Sequence, residues 1–288
     1  MRSRMCDDHE HGDHGHDHGH PVGAVGGTKI VVVGKGGAGK TTLTAVLARL
    51  LARAGAPVIA VDADEQRNLA VTLGVPLSEA AEIVPVAAAA DYVEEKTGAR
   101  PGEGTGVMLR LNPDTADVVD RLAVAAPDGI RLLVMGGVAR AGGGCLCPEN
   151  TVLSSVLAGM RLRDDDVVIM DTHAGVEHFG RALARGFDSA VVVVEPTYNS
   201  VVVGLETARL AGELGIERQL LVVNRATGPD DVARVRDLVA EAGGHFESIH
   251  ALPDDVAVRA TEPSVDGALM GEFADGVAHL AEHLVGRR

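Results

Sequence analysis

The sequence predicts an α/β protein in which a mostly parallel, doubly wound sheet is flanked by helices. Three observations carry this. From residue 29 onward, short runs rich in β-branched residues alternate with longer stretches of helical periodicity, as βαβ units with right-handed crossovers require. Aromatic residues make up only 2% of the chain while apolar residues make up 46%, mostly Val, Ala and Leu, the makeup of buried parallel strands under Ala-rich helices. The first strand-like run feeds through a glycine-rich turn into a helix, the kind of junction at which α/β sheets hold ligands. At 288 residues the chain can build a sizeable core.

Residues 1–27 read as a disordered tail ahead of a single domain over 28–288. The tail segment 7–20 carries His9, His11, His14, His16, His18 and His20 with carboxylates and glycines between. Imidazoles at such short spacings suit borderline ions such as nickel or zinc, and nothing in the segment can be buried. The first strand is Lys29–Gly34 and the first helix Thr41–Arg53. Further strands are expected at Pro57–Asp62, Ile130–Met135, Val167–Asp171, Ala190–Glu195, Gln219–Asn224 and Phe246–Ala251, with helices near 178–186, 199–214 and 229–242. Residues 85–150 are less regular, and Pro148 is placed to start a helix over 149–160. The final helix, Phe273–Val285, has Ala, Val and Leu on one face with Asp, Glu and His between, which fits a docked terminal helix; a membrane-surface helix would have a basic polar face.

Gly34-Lys-Gly-Gly-Ala-Gly-Lys-Thr-Thr42 has the spacing Gly-x4-Gly-Lys-Thr between strand and helix, so the domain is predicted to be a P-loop NTPase. Gly36, Gly37, Ala38 and Gly39 are expected to offer backbone N–H groups to phosphate oxygens, with Lys40 neutralising them and the Thr41 hydroxyl binding magnesium. Thr42 stands in the first helical turn, whose N–H groups and positive dipole end face the phosphates. Lys35 is one of only four lysines in the chain, and its place inside the loop directs it away from its own phosphates towards a partner's nucleotide. Asp62 and Asp64 end one strand with carboxylates two residues apart, on one side of it, and Asp171 ends another. Phosphoryl transfer needs charge neutralisation and an oriented water more than covalent help. Asp171 and Asp62 are therefore assigned to the metal shell and Asp64 to positioning the attacking water. Cys145-Leu-Cys147 lies ahead of a helix start, where a thiol's pKa falls and the metal-binding thiolate is favoured. Two thiolates are half of a tetrahedral set, and a two-fold dimer would supply all four. His173 and His178 flank the segment after Asp171 and read as switch or packing residues.

Charge narrows the partners. A net charge of −15 argues against a nucleic-acid clamp, which needs clustered Lys and Arg. Three cysteines are too few for a disulfide framework and no apolar signal segment precedes residue 29, so the cytoplasm is the expected compartment. No stretch approaches the roughly 18 uninterrupted apolar residues of a membrane span.

Lys35-Gly-Gly-Ala-Gly-Lys-Thr41, Val61-Asp-Ala-Asp64 with Asn68-Leu69, and Asp171-Thr-His-Ala-Gly175 resemble the deviant Walker A group of dimeric ATPases. That group includes the MinD and ParA proteins, the nitrogenase iron protein and metal-insertion accessory ATPases, and the resemblance spans residues 29–260. It implies that Lys35 reaches across a two-fold axis to the other subunit's nucleotide. Val222-Val-Asn224-Arg225 resembles the group's adenine-contacting segment and lacks the Asn-Lys-x-Asp of guanine readers, which favours ATP. Within the group, Gly142-Gly-Gly-Cys-Leu-Cys-Pro-Glu149 and Asp171-Thr-His-Ala-Gly-Val-Glu-His-Phe-Gly-Arg181 resemble the CooC family, nickel-insertion ATPases for carbon monoxide dehydrogenase. This implies a homodimer that hydrolyses ATP with Mg2+, binds Ni2+ or Zn2+ between paired Cys145 and Cys147, and matures a client metalloenzyme. Two other readings remain open: a MinD- or ParA-type positioning ATPase, and a reductase resembling the nitrogenase iron protein.

Overall fold

The computed structural model describes residues 27–102, 109–110, 112–136, 147–173 and 184–286. Eight strands form one sheet: β1 (Thr28–Gly34), β2 (Val58–Ala63), β3 (Val124–Ala125), β4 (Arg131–Val134), β5 (Val167–Thr172), β6 (Ser189–Val194), β7 (Arg218–Ala226) and β8 (Ser248–Pro253). Their order is β3-β4-β2-β5-β1-β6-β7-β8, and every pairing is parallel except the short β3 against β4. The doubly wound α/β architecture expected from the alternation is therefore the one observed.

Helices cover both faces. Along β1, Ile30 and Val32 point into one apolar layer and Val31 and Val33 into the other, the period of two that a strand buried on both sides must show. The first layer is closed by α1 (Lys40–Arg53), α2 (Leu69–Leu73) and the terminal helix α10 (Glu272–Val285). The second is closed by α4 (Ala90–Thr97), α6 (Cys147–Gly159), α7 (Tyr198–Glu213) and α8 (Pro229–Glu241). Short helices α3 (Leu77–Glu82), α5 (Val118–Leu122) and α9 (Val256–Ala260) complete the chain. α10 buries Phe273, Ala274, Val277, Leu280, Ala281 and Leu284, so it is docked as its apolar stripe predicts. No helix among the described residues is long and apolar enough to cross a membrane.

Several expected boundaries shift. β8 begins two residues later than Phe246, and α6 begins at Cys147, two residues earlier than the helix expected from Pro148. Among the described residues of 85–150, β4 is the strand expected at Ile130–Met135, and α4, α5 and β3 are elements the sequence did not announce. The helix expected over 178–186 lies mostly outside the described residues, as do the histidine-rich tail, Cys145 and His178.

Arg49 fixes the far end of α1. It is only 4% exposed, donates to the Leu73 carbonyl at 2.6 Å and to Asp266 at 3.1 Å, and also grips Asp128 in the turn before β4. Removing one partner of a buried ionic network leaves unpaired polar groups behind. Arg49→Ala is expected to lower the unfolding free energy by about 2 kcal/mol in urea melts, and a loss below about 0.5 kcal/mol would show that the network acts only as a surface ion pair.

Candidate nucleotide-binding site

The loop between β1 and α1 lies at the carboxyl end of the central strand, as its spacing predicts. Gly34, Gly37 and Gly39 adopt φ of 140°, 79° and 95°, a region that side chains disfavour. Two of these positions also lack room. A Cβ on Gly34 would sit 2.2 Å from the Val193 carbonyl of β6, and one on Gly39 would sit 2.2 Å from the Asn224 side chain of β7. Gly36 and Gly37 are exposed at the rim, while Ala38 is wholly buried. Ala38 N–H donates to the Lys35 carbonyl at 3.3 Å, and Lys40 Nζ donates to the same oxygen at 3.2 Å, so the loop closes over its own lysine. Lys40 is 6% exposed; burial lowers its pKa while the charges of Asp171 and Asp64 hold it up. Lys35 keeps a partly exposed position on the loop.

The strand-end acids meet this loop. Asp62 of β2 and Asp171 of β5 are direct register partners, and both are fully buried. Asp171 accepts a hydrogen bond from the Thr41 hydroxyl at 2.6 Å, with the Thr44 hydroxyl at 3.5 Å. Asp62 accepts from the backbone N–H of Asp64 and of Leu69, both at 3.1 Å. Its two oxygens thus organise the turn into α2, a role beyond the metal shell to which the sequence assigns it. Asp64 is partly exposed and accepts from the Gln66 N–H at 2.9 Å. Burial pushes Asp62 and Asp171 each up to about 7; the backbone donors to Asp62 and the Thr41 bond to Asp171 work against it. Two buried carboxylates beside one buried ammonium, with the Thr41 hydroxyl on Asp171, form an oxygen-donor set that fits Mg2+. Thr41 and Asp171 would hold the ion directly or through water, and its charge would be supplied to the phosphate oxygens.

Asn224 ends the buried part of β7. Its Nδ2 donates to the Ala38 carbonyl at 2.8 Å, tying β7 to the loop, while its Oδ1 is buried without a hydrogen-bond partner. Arg225 follows with φ 57° and pairs with Glu195 at 2.6 Å, an acid at the end of β6 that motif reading passed over. Thr42 is partly buried in the first turn of α1, and His173 is partly buried just past β5. Cys147 heads α6.

The raised carboxyls set a pH dependence. A carboxyl whose folded value of about 7 exceeds its ordinary 3.8 favours folding when protonated. That contribution is full below the ordinary value and is lost as pH rises through about 7. A divalent ion replaces the proton, so its binding should strengthen over the same window. Metal-free protein is expected to melt progressively lower from pH 5 to 8, while Mg2+-nucleotide affinity rises about tenfold per pH unit for each proton displaced. Asp171→Asn should reduce both slopes, leaving the part that Asp62 carries. An unaltered chain whose magnesium affinity does not change between pH 6 and 8 would contradict the assignment.

Comparison with known proteins agrees with this geometry. The family model described as the CobQ/CobB/MinD/ParA nucleotide binding domain matches residues 29–264. The carbon monoxide dehydrogenase accessory protein CooC of Rhodospirillum rubrum is 36% identical over 234 residues, 81% of this chain and 86% of that protein. An uncharacterised ATP-binding protein of Methanocaldococcus jannaschii is 37% identical over 234 residues, 81% of this chain and 88% of the relative. Among solved structures, the septum site-determining protein MinD of Pyrococcus horikoshii, complexed with Mg-ADP, superposes with a TM-score of 0.64 at 19% identity, over 90% of this chain and 96% of that one; it shows the shared fold. Loop, strand-end acids and family match converge, and the chain belongs to the CobQ/CobB/MinD/ParA nucleotide-binding family as an ATPase.

Proposed function

We propose that this ATPase is a metal-centre maturation factor that dimerises on nucleotide and inserts nickel into a client enzyme resembling carbon monoxide dehydrogenase. The observation that carries the reading is the likeness, over most of both chains, to an accessory protein of carbon monoxide dehydrogenase. The described fold supports a link between nucleotide and thiols. β4 pairs with β2, and the Met135 N–H donates to the Asp62 carbonyl at 2.8 Å, so the chain leading to Cys145 departs from the strand end beside the nucleotide site. Cys147 re-enters the described chain as the first residue of α6, where the positive helix end favours a thiolate.

In this reading Cys145 and Cys147 from two chains supply four thiolates to one Ni2+ or Zn2+. Lys35 reaches the partner's nucleotide, and Asp64 positions the attacking water. Gly36 to Thr42 cradle the phosphates, Thr41 and Asp171 hold magnesium, and Asp62 supports them. The unpaired Asn224 Oδ1 accepts from the adenine amino group, with Arg225 beside the base. The histidines of the tail act as a nickel store, and the protein works in the cytoplasm without nucleic acid.

Nucleotide and metal then share one interface, so each raises affinity for the other. With a nonhydrolysable ATP analogue, the full chain is expected to bind about one interface nickel ion per two chains, and Cys145→Ala to abolish that ion. Lys35→Ala should remain monomeric on sizing columns with ATP and hydrolyse it at least about tenfold more slowly, a loss of roughly 1.4 kcal/mol or more in the barrier. Deleting residues 1–22 should lower total nickel per chain without changing hydrolysis. Equal nickel binding with and without nucleotide, together with unaltered binding by Cys145→Ala, would rule the coupling out.

A further inference from the structure

The β8 margin of the sheet carries a second group of metal-ligating side chains. His250 occupies an inward-facing position of β8, next but one to the buried Leu252, and is only 7% exposed. α10 crosses this strand closely: a Cβ on Gly276 would sit 2.7 Å from the Leu252 side chain and 3.4 Å from the Ala251 carbonyl. One turn further along α10 stand His279 and, four residues later, His283. A spacing of i, i+4 puts two imidazoles on one helix face, the arrangement by which zinc-binding helices present a ligand pair. The three rings lie 4.7 to 5.5 Å apart between centroids, and one ligand nitrogen from each falls within 4.8 Å of the others. A tetrahedral ion with metal–nitrogen bonds of about 2.1 Å needs nitrogens roughly 3.4 Å apart, so a small swing of the exposed His279 closes the set.

The surroundings orient the ligands. His283 Nδ1 stands 3.0 Å from the His279 carbonyl, and a carbonyl only accepts, so Nδ1 carries the proton and Nε2 of the neutral ring keeps its lone pair. Ser248 Oγ lies 2.9 Å from His250 Nε2; in the tautomer where Nε2–H donates to the hydroxyl, Nδ1 keeps its lone pair for a metal. Burial, with the neighbouring His283 and His279, lowers the His250 pKa to about 4, so this ring is neutral at physiological pH and free to ligate. Arg218, which donates to the Leu284 and His283 carbonyls, is paired with Glu247 at 3.0 Å. Arg218 is the first residue of β7, which places the last turn of α10 beside the start of that strand, while His250 pairs in register with Val222 further along it.

We propose that His250, His279 and His283 form a three-imidazole site for a borderline divalent ion of the zinc and nickel class. Three protein ligands leave a fourth position open for exchange, and the bound ion ties the terminal helix to the edge strand. The site is independent of the cysteine pair and of the maturation reading. The test is zinc chloride binding to the full chain, with metal counted after equilibrium dialysis and thermal melts run alongside. A tail that binds zinc equally in folded and unfolded chains does not raise the melting temperature, whereas a site built by the fold does. The unaltered chain and a Cys145→Ser, Cys147→Ser variant should both show a zinc-dependent rise, and His279→Ala, His283→Gln should lose it together with one bound equivalent. A folded histidine double variant that binds as many zinc ions as the unaltered chain overturns the proposal. If that variant loses its native circular dichroism, exposed His279→Ala decides alone: at least about tenfold weaker zinc binding supports the site, and unchanged affinity overturns it.

Discussion

Two carboxylates without solvent, side by side at the ends of neighbouring parallel strands, are the constraint around which the rest of the domain is arranged. Asp62 and Asp171 share one rung between β2 and β5, and their burial costs free energy unless a cation or proton compensates. Thr41, Lys40 and the turn from Asp64 to Leu69 are all held against them. The parallel pairing is what lets both acids arrive at one end of the sheet, and the β1–α1 loop arrives at the same end because β1 pairs with β5. Fold and site are therefore one arrangement. A register shift of one residue would turn either acid to the opposite face and dissolve the cluster.

Much of this was legible in the residues themselves. The run Lys29–Gly34 announces a buried strand because both of its faces are apolar, and the glycine spacing that follows admits few conformations other than a phosphate loop. The strand-end aspartates were found by position. Their division of labour was not, since Asp62 spends both oxygens on backbone N–H groups several residues downstream, a contact that depends on how the turn folds. Sheet order was hidden for a related reason: β4 inserts beside β2, although α2, α3, α4, α5 and β3 separate them in sequence, and local pattern carries no information on pairing at that distance. Arg49 shows the same limit, because Asp128 and Asp266 come from loops far along the chain. The histidine cluster had a local half, the i, i+4 pair in the last helix, and a distant half, a histidine in a strand slot where alternation calls for an apolar residue.

The sheet divides the chain's polar chemistry between its middle strands and its β8 margin. At the carboxyl ends of β1, β2 and β5, oxygen donors and one lysine dominate, a hard environment matched to phosphate and magnesium. At the start of β7 and alongside β8, imidazoles dominate, a softer environment matched to later transition metals. β6 and β7 lie between the two sets.

The margins of the sheet bear on how copies of the chain meet. At one margin β3 offers a ladder of two residues, too short to template another strand. At the other, the β7–β8 ladder becomes irregular after Val223, and β8 ends in Pro253, which has no N–H to give. Backbone-to-backbone growth of the sheet from chain to chain is disfavoured at both sides. The protein is thereby spared the open-ended polymerisation that an unguarded strand invites.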